Sequence, residues 1–453
     1  TVWHMNEGHS AFMVLERIRE QMESGHSFDA AAQIVRQSNV FTTHTPVPAG
    51  NDEFALWLTD KYFANLWPEL GLDRETFVNL ARHTVNWGDN FSMPVLALRF
   101  SEKRNAVSEL HGNVSRKMWH FLWPDRNVED VPITHVTNGV HTGTWLARRL
   151  RHLYERYLGP DWMENADDPN LWELVYNIPD EQLWAVRRHL KRKLVAYMRE
   201  RARQQWLQGN RHPVQVVASG VLLDPYALTI GFARRFAPYK RANLILSDLD
   251  RLLKLLNRPG MPVQIVFSGK SHPDHEGGKL LIQEVYRAVK RSESGGRLVF
   301  LEDYDMNLAR YLTQGVDVWL NTPRRPNEAS GTSGQKAALN GVLNFSVLDG
   351  WWREGYNGQN GWAIGKDMDY DDIQKQDEAD AESLYDVLEN EIIPLYYQIR
   401  SSDGLPGDWI ARMKESVRTL APQFSMRRMV KEYTERLYLP AMQRQDIKEK
   451  VKE

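Results

Sequence analysis

The chain has 453 residues, 42% hydrophobic and 26% charged, a makeup that excludes disorder and collagen-like repetition and supplies two or three domains at about 150 residues each. Lys and Arg total 57 against 59 Asp and Glu, a formal charge of -2, so no global basic field points to nucleic acid or anionic membrane, and any anion site is local. Having no cysteine, the chain lacks disulfides, thiolate nucleophiles and cysteine metal sites, and no apolar run approaches the roughly 20 residues that span a bilayer; it reads as soluble.

The opening segment, TVWHMNEGHSAFMVLERIRE, has neither the basic start nor the apolar core of a signal peptide. It lacks an initiator Met and begins directly on a motif-like stretch, so the chain reads as a fragment missing an N-terminal portion. Three Asn-x-Ser sequons, at Asn90, Asn113 and Asn344, are short enough to arise by chance.

Residues 1 to about 150 alternate helical stretches with loops rich in His, Asn, Thr, Pro and Gly, notably FTTHTPVPAGNDEF at 41–54 and THVTNGVHTGTW at 134–145. Such loops are where function usually sits. Residues 180–207 read as one long basic amphipathic helix whose positive run is a solvated face joining two lobes. From 226 onward, strand patterns at Tyr226–Ala233, Val263–Phe267, Arg297–Leu301, Val316–Leu320 and Val342–Val347 alternate with helices at 245–256, 279–290, 307–312 and 334–340. That alternation predicts a parallel sheet covered on both faces, a doubly wound Rossmann-like lobe whose ligands lie beyond the carboxyl ends of the strands. The predicted organisation is residues 1–207 for the first lobe and its connecting helix, 208–423 for the Rossmann-like lobe, and 424–453 for a docking helix and charged tail.

The polar motifs fall at those strand ends. NEASGTSGQKAALNG, 327–341, has small residues whose backbone N–H groups can approach an anion before a helix start, with Lys336 on the first turn. A partly buried lysine there would suit Schiff-base chemistry; an ordinary Gly/Ser loop with a surface lysine is the equal alternative on spacing alone. The order is not that of a Walker loop, and no G-x-G-x-x-G follows the strand at 226–233. ARRFAPYKRAN, 233–243, gathers Arg234, Arg235, Lys240 and Arg241 in a strand-to-helix turn, which favours a phosphate partner. His4, Glu7 and His9, and likewise His272, His275 and Glu276, lack the spacing of helical zinc sites, and no metal is expected. His44 and Asn138 read as hydroxyl-binding groups, although Asn-Gly is first a turn signal. Of the 16 tryptophans, Trp145, Trp351 and Trp352 adjoin the candidate loops and are the candidates for stacking on a sugar.

Taken together, EASGTSGQK, ARRFAPYKR, TNGVHTGTW and HTPVPAG, in their order and distances, resemble the α-glucan phosphorylases, closest to the bacterial and archaeal branch, over residues 3 to 440. The resemblance implies an α/β protein of GT-B type: two Rossmann-like lobes, an interlobe cleft, and here an incomplete first lobe. It also implies pyridoxal 5'-phosphate held as an internal aldimine on Lys336, with Thr332, Ser333, Arg234 and Lys240 around the cofactor phosphate and Tyr304 and Trp145 near its ring. Arg235 would hold inorganic phosphate. Glu328, Ser330, Gly331, Tyr239, His44 and Asn138 would hold glucosyl hydroxyls, while Glu7 and His9 would line the acceptor side; Lys336, Arg235, Lys240 and His44 form the catalytic set.

The implied reaction is reversible phosphorolysis of the terminal α-1,4 bond of glycogen, starch or maltodextrin, releasing α-glucose 1-phosphate with retention, in a cytoplasmic homodimer. Two rivals share the architecture: a nucleotide-sugar glucosyltransferase of glycogen-synthase type, and a non-catalytic glucan-binding relative. The chain departs from the family pattern in Asp305, where many relatives have arginine, in Gln335, where a hydrophobic residue is usual, and in lacking the first lobe's glycine-rich loop.

Overall fold

The computed structural model describes residues 1–47, 50–85, 88–207, 213–397 and 404–443. Pro48 and Ala49 of the HTPVPAG motif and the charged tail beyond 443 therefore lie outside the described residues. The chain divides into two compact units, the first formed by Thr1–Asn138, Pro326–Ser330 and the chain from Met429, the second by Gly139–Arg325 and Gly331–Arg428.

In the first unit, strands β1 (Trp3–Asn6), β2 (Asn39–Thr43), β6 (Lys103–Ala106) and β7 (Thr134–His135) form a parallel sheet in the order β1-β2-β6-β7, and β3 (Glu53–Ala55), β4 (Arg82–Val85) and β5 (Gly88–Ser92) form a small antiparallel one. The helices Met13–Glu23 and Phe28–Ser38 bury Val14, Leu15, Ile18, Ala31 and Val35 against Met5 and Phe41 of the sheet. The second helix starts where Ser27 accepts the Ala30 amide, the usual way its first free donors are satisfied.

A buried chain of neutral hydrogen bonds joins this sheet to the C-terminal helix. His4 Nδ1 meets the Tyr438 hydroxyl at 2.8 Å and its Nε2 meets Thr42 Oγ1 at 2.7 Å. Thr42 donates to Asn105 Oδ1 at 2.8 Å, and Asn105 Nδ2 donates to the Tyr433 hydroxyl at 2.9 Å. Because the Thr42 proton is committed to Asn105, His4 donates from Nε2 and Tyr438 donates to Nδ1; every member is satisfied in one direction.

In the second unit, β8 (Leu228–Ala233), β9 (Val263–Ser268), β10 (Leu298–Leu301), β11 (Val318–Asn321), β12 (Leu343–Val347) and β13 (Gly361–Ile364) form one all-parallel sheet in the order β10-β9-β8-β11-β12-β13. This is the doubly wound order, with its reversal between β8 and β11. The first five strands match the apolar runs of the sequence; β13, four residues between polar loops, carries too short a pattern to be seen there. Caps end the covering helices as side-chain chemistry requires: Asp248 accepts the Arg251 amide, His275 the Gly278 amide and Asp305 the Leu308 amide.

The expected boundary near 207 gives way to one at Asn138 and Gly139. The helix Asp180–Leu207 exists as predicted, but two of its cations are not solvated. Arg187, 3% exposed, donates to the carbonyls of Gln314, Val316 and Asn340, and Lys191, 2% exposed, pairs with Asp317. Those bonds tie the helix to the amino end of β11 in the second unit, so it belongs there rather than between lobes. The last segment is likewise divided: inside the second unit the Val140 amide donates to the Phe424 carbonyl and the Met426 amide to the Val140 carbonyl, whereas Tyr433 and Tyr438 serve the first. Asn344 is fully buried in β12, so its sequon is closed to any modifying enzyme. Among the described residues no helix is long and apolar enough to cross a membrane.

Candidate active site

The switch point of the second sheet collects the cationic candidates. Arg234 and Lys240, 8% and 9% exposed, leave β8, while Arg235 is exposed and Tyr239 half-buried. The loop after β11 is stitched to this turn: Thr322 Oγ1 donates to the Lys240 and Arg241 carbonyls at 3.1 and 2.9 Å, and the Arg324 amide to the Tyr239 carbonyl at 2.6 Å. The Lys240 amine lies 4.7 Å from the centroid of the Tyr239 ring. Arg241, fourth cation of the motif, has four of its five donors engaged by its own fold. From a left-handed backbone (φ 45°) its guanidinium reaches the Thr322 and Pro323 carbonyls and the carboxylates of Asp377 and Asp380 at 2.7 to 2.9 Å.

Lys336 lies on the helix Ser333–Leu339, whose seven residues make it too short for a strong dipole, so buried side-chain cations are the larger anion-attracting element here. Gly334 lets the helix approach β12: a Cβ there would stand 2.4 Å from Asn344 Oδ1. The indole of Trp319 donates to Ser333 Oγ at 3.1 Å, which leaves the serine proton available to a ligand oxygen. Thr332 makes no side-chain capping bond. The Lys336 amine sits 3.8 Å from the centroid of the Trp145 ring, half-buried, and burial lowers its pKa. Among the described residues it has no acidic partner. Asn340 fixes this pair, donating to the carbonyls of Trp145 at 2.9 Å and Lys336 at 2.8 Å.

Tyr304, partly buried against the apolar cluster that includes Trp319 and Ala337, has a hydroxyl pKa raised by burial against the opposing field of Arg234. Asp305 caps the following helix, so its carboxylate serves local structure here. Gln335 is buried, 2% exposed. Trp351 and Trp352 do not face a ligand: both are buried with Leu420 and Phe424, which corrects the sugar-stacking expectation for this pair. A cavity of about 1030 Å³ beside Pro238, Asn243, Leu280 and Tyr385 is lined by none of the cofactor-binding candidates.

In the first unit, the glucosyl-binding candidates stand at carboxyl ends of the parallel strands. Glu7 follows β1, His44 follows β2 and Asn138 follows β7, where its amide donates to the Val107 carbonyl at 3.1 Å. Ser108, after β6, donates to the Ala329 carbonyl at 2.6 Å and so holds the segment bearing Glu328 and Ser330, whose buried Oγ has no hydrogen-bond partner among the described residues. His44 is neutral: burial, with His4 and His9 nearby, lowers its imidazole to about 4. His9 is exposed. Gly139 is not a turn glycine; it is needed because a Cβ would meet the Ser425 carbonyl oxygen at 2.3 Å.

Residue patterns missed Asn6, Ser108 and Asn340. The last was legible, since it stands four residues after Lys336 on one helix face; the other two become visible only when strand ends are aligned.

The carbohydrate phosphorylase profile matches residues 1–355. The chain belongs to the carbohydrate phosphorylase family. It is 46% identical over 442 residues to the maltodextrin phosphorylase of Thermococcus litoralis, covering 97% of this chain and 51% of that protein. It is 43% identical over 436 residues to the glycogen phosphorylase of Aquifex aeolicus, covering 96% and 62%, and 42% identical over 451 residues to that of Mycobacterium tuberculosis, covering 98% and 51%. This phosphorylase-family chain thus spans between half and two thirds of the length of these relatives.

Proposed function

We propose that the polypeptide to which this chain belongs carries out reversible phosphorolysis of terminal α-1,4-glucosidic bonds in glycogen or maltodextrin, releasing α-glucose 1-phosphate with retention, and that it has the GT-B architecture and forms a homodimer. The observation that carries the reading is the half-buried Lys336 amine, without an acidic partner among the described residues and held against Trp145, on the helix that follows β11 at the sheet's switch point.

The residues present fit pyridoxal 5'-phosphate. A lysine whose charged form is disfavoured by burial can present a neutral amine to an aldehyde. Arg234 and Lys240 bring positive charge to the site, and Thr332 and Ser333 bring hydroxyl donors. When bound, the cofactor would supply its phosphate as a proton carrier to inorganic phosphate. Arg235, exposed at the turn, would bind and orient that second anion, and the cations of the turn would offset the repulsion between two phosphates. Trp145, fixed by Asn340, would exclude water from one side of the lysine. Neutral His44, Asn138 and the unsatisfied Ser330 hydroxyl would exchange hydrogen bonds with glucosyl hydroxyls, orienting the sugar.

The first test is incubation with pyridoxal 5'-phosphate, borohydride reduction and peptide mass spectrometry. A single adduct at Lys336 is expected. The full-length polypeptide should release glucose 1-phosphate from maltodextrin only with phosphate present, and Lys336→Ala should abolish this. Phosphate-independent hydrolysis, or no adduct from either polypeptide, would sink the reading in favour of a nucleotide-sugar transferase or a glucan binder.

A further inference from the structure

Glu7 occupies a backbone region that L-residues avoid, with φ 87° and ψ 163°, a conformation otherwise left to glycine and held only where surrounding structure enforces it. Its main-chain N–H donates to the Thr42 carbonyl at 2.9 Å, extending the β1–β2 pairing by one residue. The carboxylate then bridges two loops: Oε2 accepts the His44 amide at 2.6 Å and Oε1 the Gly8 amide at 3.1 Å. Gly8 is itself pressed on Pro94, whose ring a Cβ would meet at 2.9 Å, so the bridge is anchored at one end to the unit's interior. Beside it, Asn6 Oδ1 lies 2.5 Å from His44 Nε2. An amide oxygen only accepts, so Nε2 carries the imidazole proton and Nδ1 is left as an acceptor.

We propose that Glu7 is a positioning residue: bridging the main chains of Gly8 and His44, it holds the His44 imidazole where Asn6 selects the Nε2–H tautomer and Nδ1 accepts a hydrogen bond from a glucosyl hydroxyl. This rests on the reading of His44 as a sugar contact and changes the part given to Glu7, whose oxygens are engaged by backbone amides rather than presented to an acceptor glucan. The strained backbone is the cost of bringing that carboxylate under the His44 amide.

Two variants separate the bridge from the strain. Glu7→Ala removes the carboxylate and keeps the unfavourable φ; Glu7→Gly removes both. On this chain, nitrogen NMR of His44 should show one tautomer, protonated at Nε2, and both variants should show tautomer averaging with at least tenfold faster exchange of the His44 amide. Unchanged spectra would overturn the inference whatever the activity. In the full-length polypeptide, both variants should lose about 10- to 100-fold in kcat/KM for phosphorolysis, with Glu7→Gly unfolding at a temperature equal to or above that of Glu7→Ala. Added to His44→Ala, neither should cause further loss. A full additional loss in that background would mean Glu7 acts directly, and an active Glu7→Gly beside an inactive Glu7→Ala would mean that backbone strain, not the carboxylate, matters; either overturns the proposal. If the wild-type full-length protein shows no phosphorolysis, the functional reading fails while the spectra still decide the role of Glu7.

Discussion

The two units solve one problem, placing polar groups at the carboxyl edge of a parallel sheet, with opposite chemistry. The first uses neutral groups: His4, Thr42, Asn105, Tyr433 and Tyr438 in one directional chain, and an imidazole at His44 that burial keeps uncharged. The second uses ions: Arg241 with Asp377 and Asp380 at that edge and, at the opposite, amino ends of the strands, Lys191 with Asp317 and Arg187 among carbonyls. The contrast shows how to sort the cations of a basic motif. A buried guanidinium with four of its five donors engaged by the fold, as in Arg241, is structural however suggestive its sequence, because carbonyls and carboxylates already hold it in place.

Breaking the ionic unit should have the largest effect. Arg241→Ala strands the buried carboxyl of Asp380, whose pKa burial already raises against the pull of Arg241, and should destabilise the second unit by about 3–5 kcal/mol in denaturant unfolding. Adding Asp380→Asn should recover part of that loss; no recovery would mean the carbonyl contacts dominate. Gly334→Ala should cost about 1–3 kcal/mol and weaken pyridoxal phosphate uptake, read by absorbance titration, because the new methyl group displaces Asn344 or the Lys336 helix.

The neutral unit should respond to smaller changes and to pH. Tyr433→Phe leaves Asn105 Nδ2 one acceptor short and should cost about 1–3 kcal/mol, seen as faster amide exchange in the C-terminal helix. Acid sharpens the contrast. Burial lowers the pKa of His4 and brings His44 to about 4, so the unfolded state binds more protons below its value near 6.5. Their stabilisation is then complete above about pH 6.5 and declines as pH falls, that of His44 being lost toward 4. Glu7 has the opposite sign: burial raises it to about 7, against the His44 and Gly8 amides, so its contribution is lost as pH rises from 4.5 through 7. The stability of Glu7→Gln relative to wild type should therefore climb over that interval. The smallest effect is expected at Arg19, exposed and paired along one helix with Glu16 and Glu23, where Arg19→Ala should leave the unfolding midpoint unchanged.

The second sheet was legible strand by strand because strands buried on both faces are continuous apolar runs, and the helix 180–207 because its period is long. Lys336, Arg234 and Lys240 were legible as residues of loops that follow strands, β11 for the first and β8 for the others. The fate of Arg241, the burial of Trp351 and Trp352, and the cap at Asp305 were not: each depends on partners far along the chain, 139 residues away for Arg241, or on a backbone turn.

Local pattern therefore carries the strands, the long helix and the family motifs, since periodicity and side-chain chemistry are written over windows of a few residues. Tertiary structure alone decides which unit owns each segment and which polar groups keep a free valence. It places Pro326–Ser330 with the first sheet and the 180–207 helix with the second, because Ser108 in one case and Arg187 and Lys191 in the other find their partners across more than a hundred residues of chain. Hydrogen-bond satisfaction is a property of assembled neighbours, and no stretch of sequence contains them.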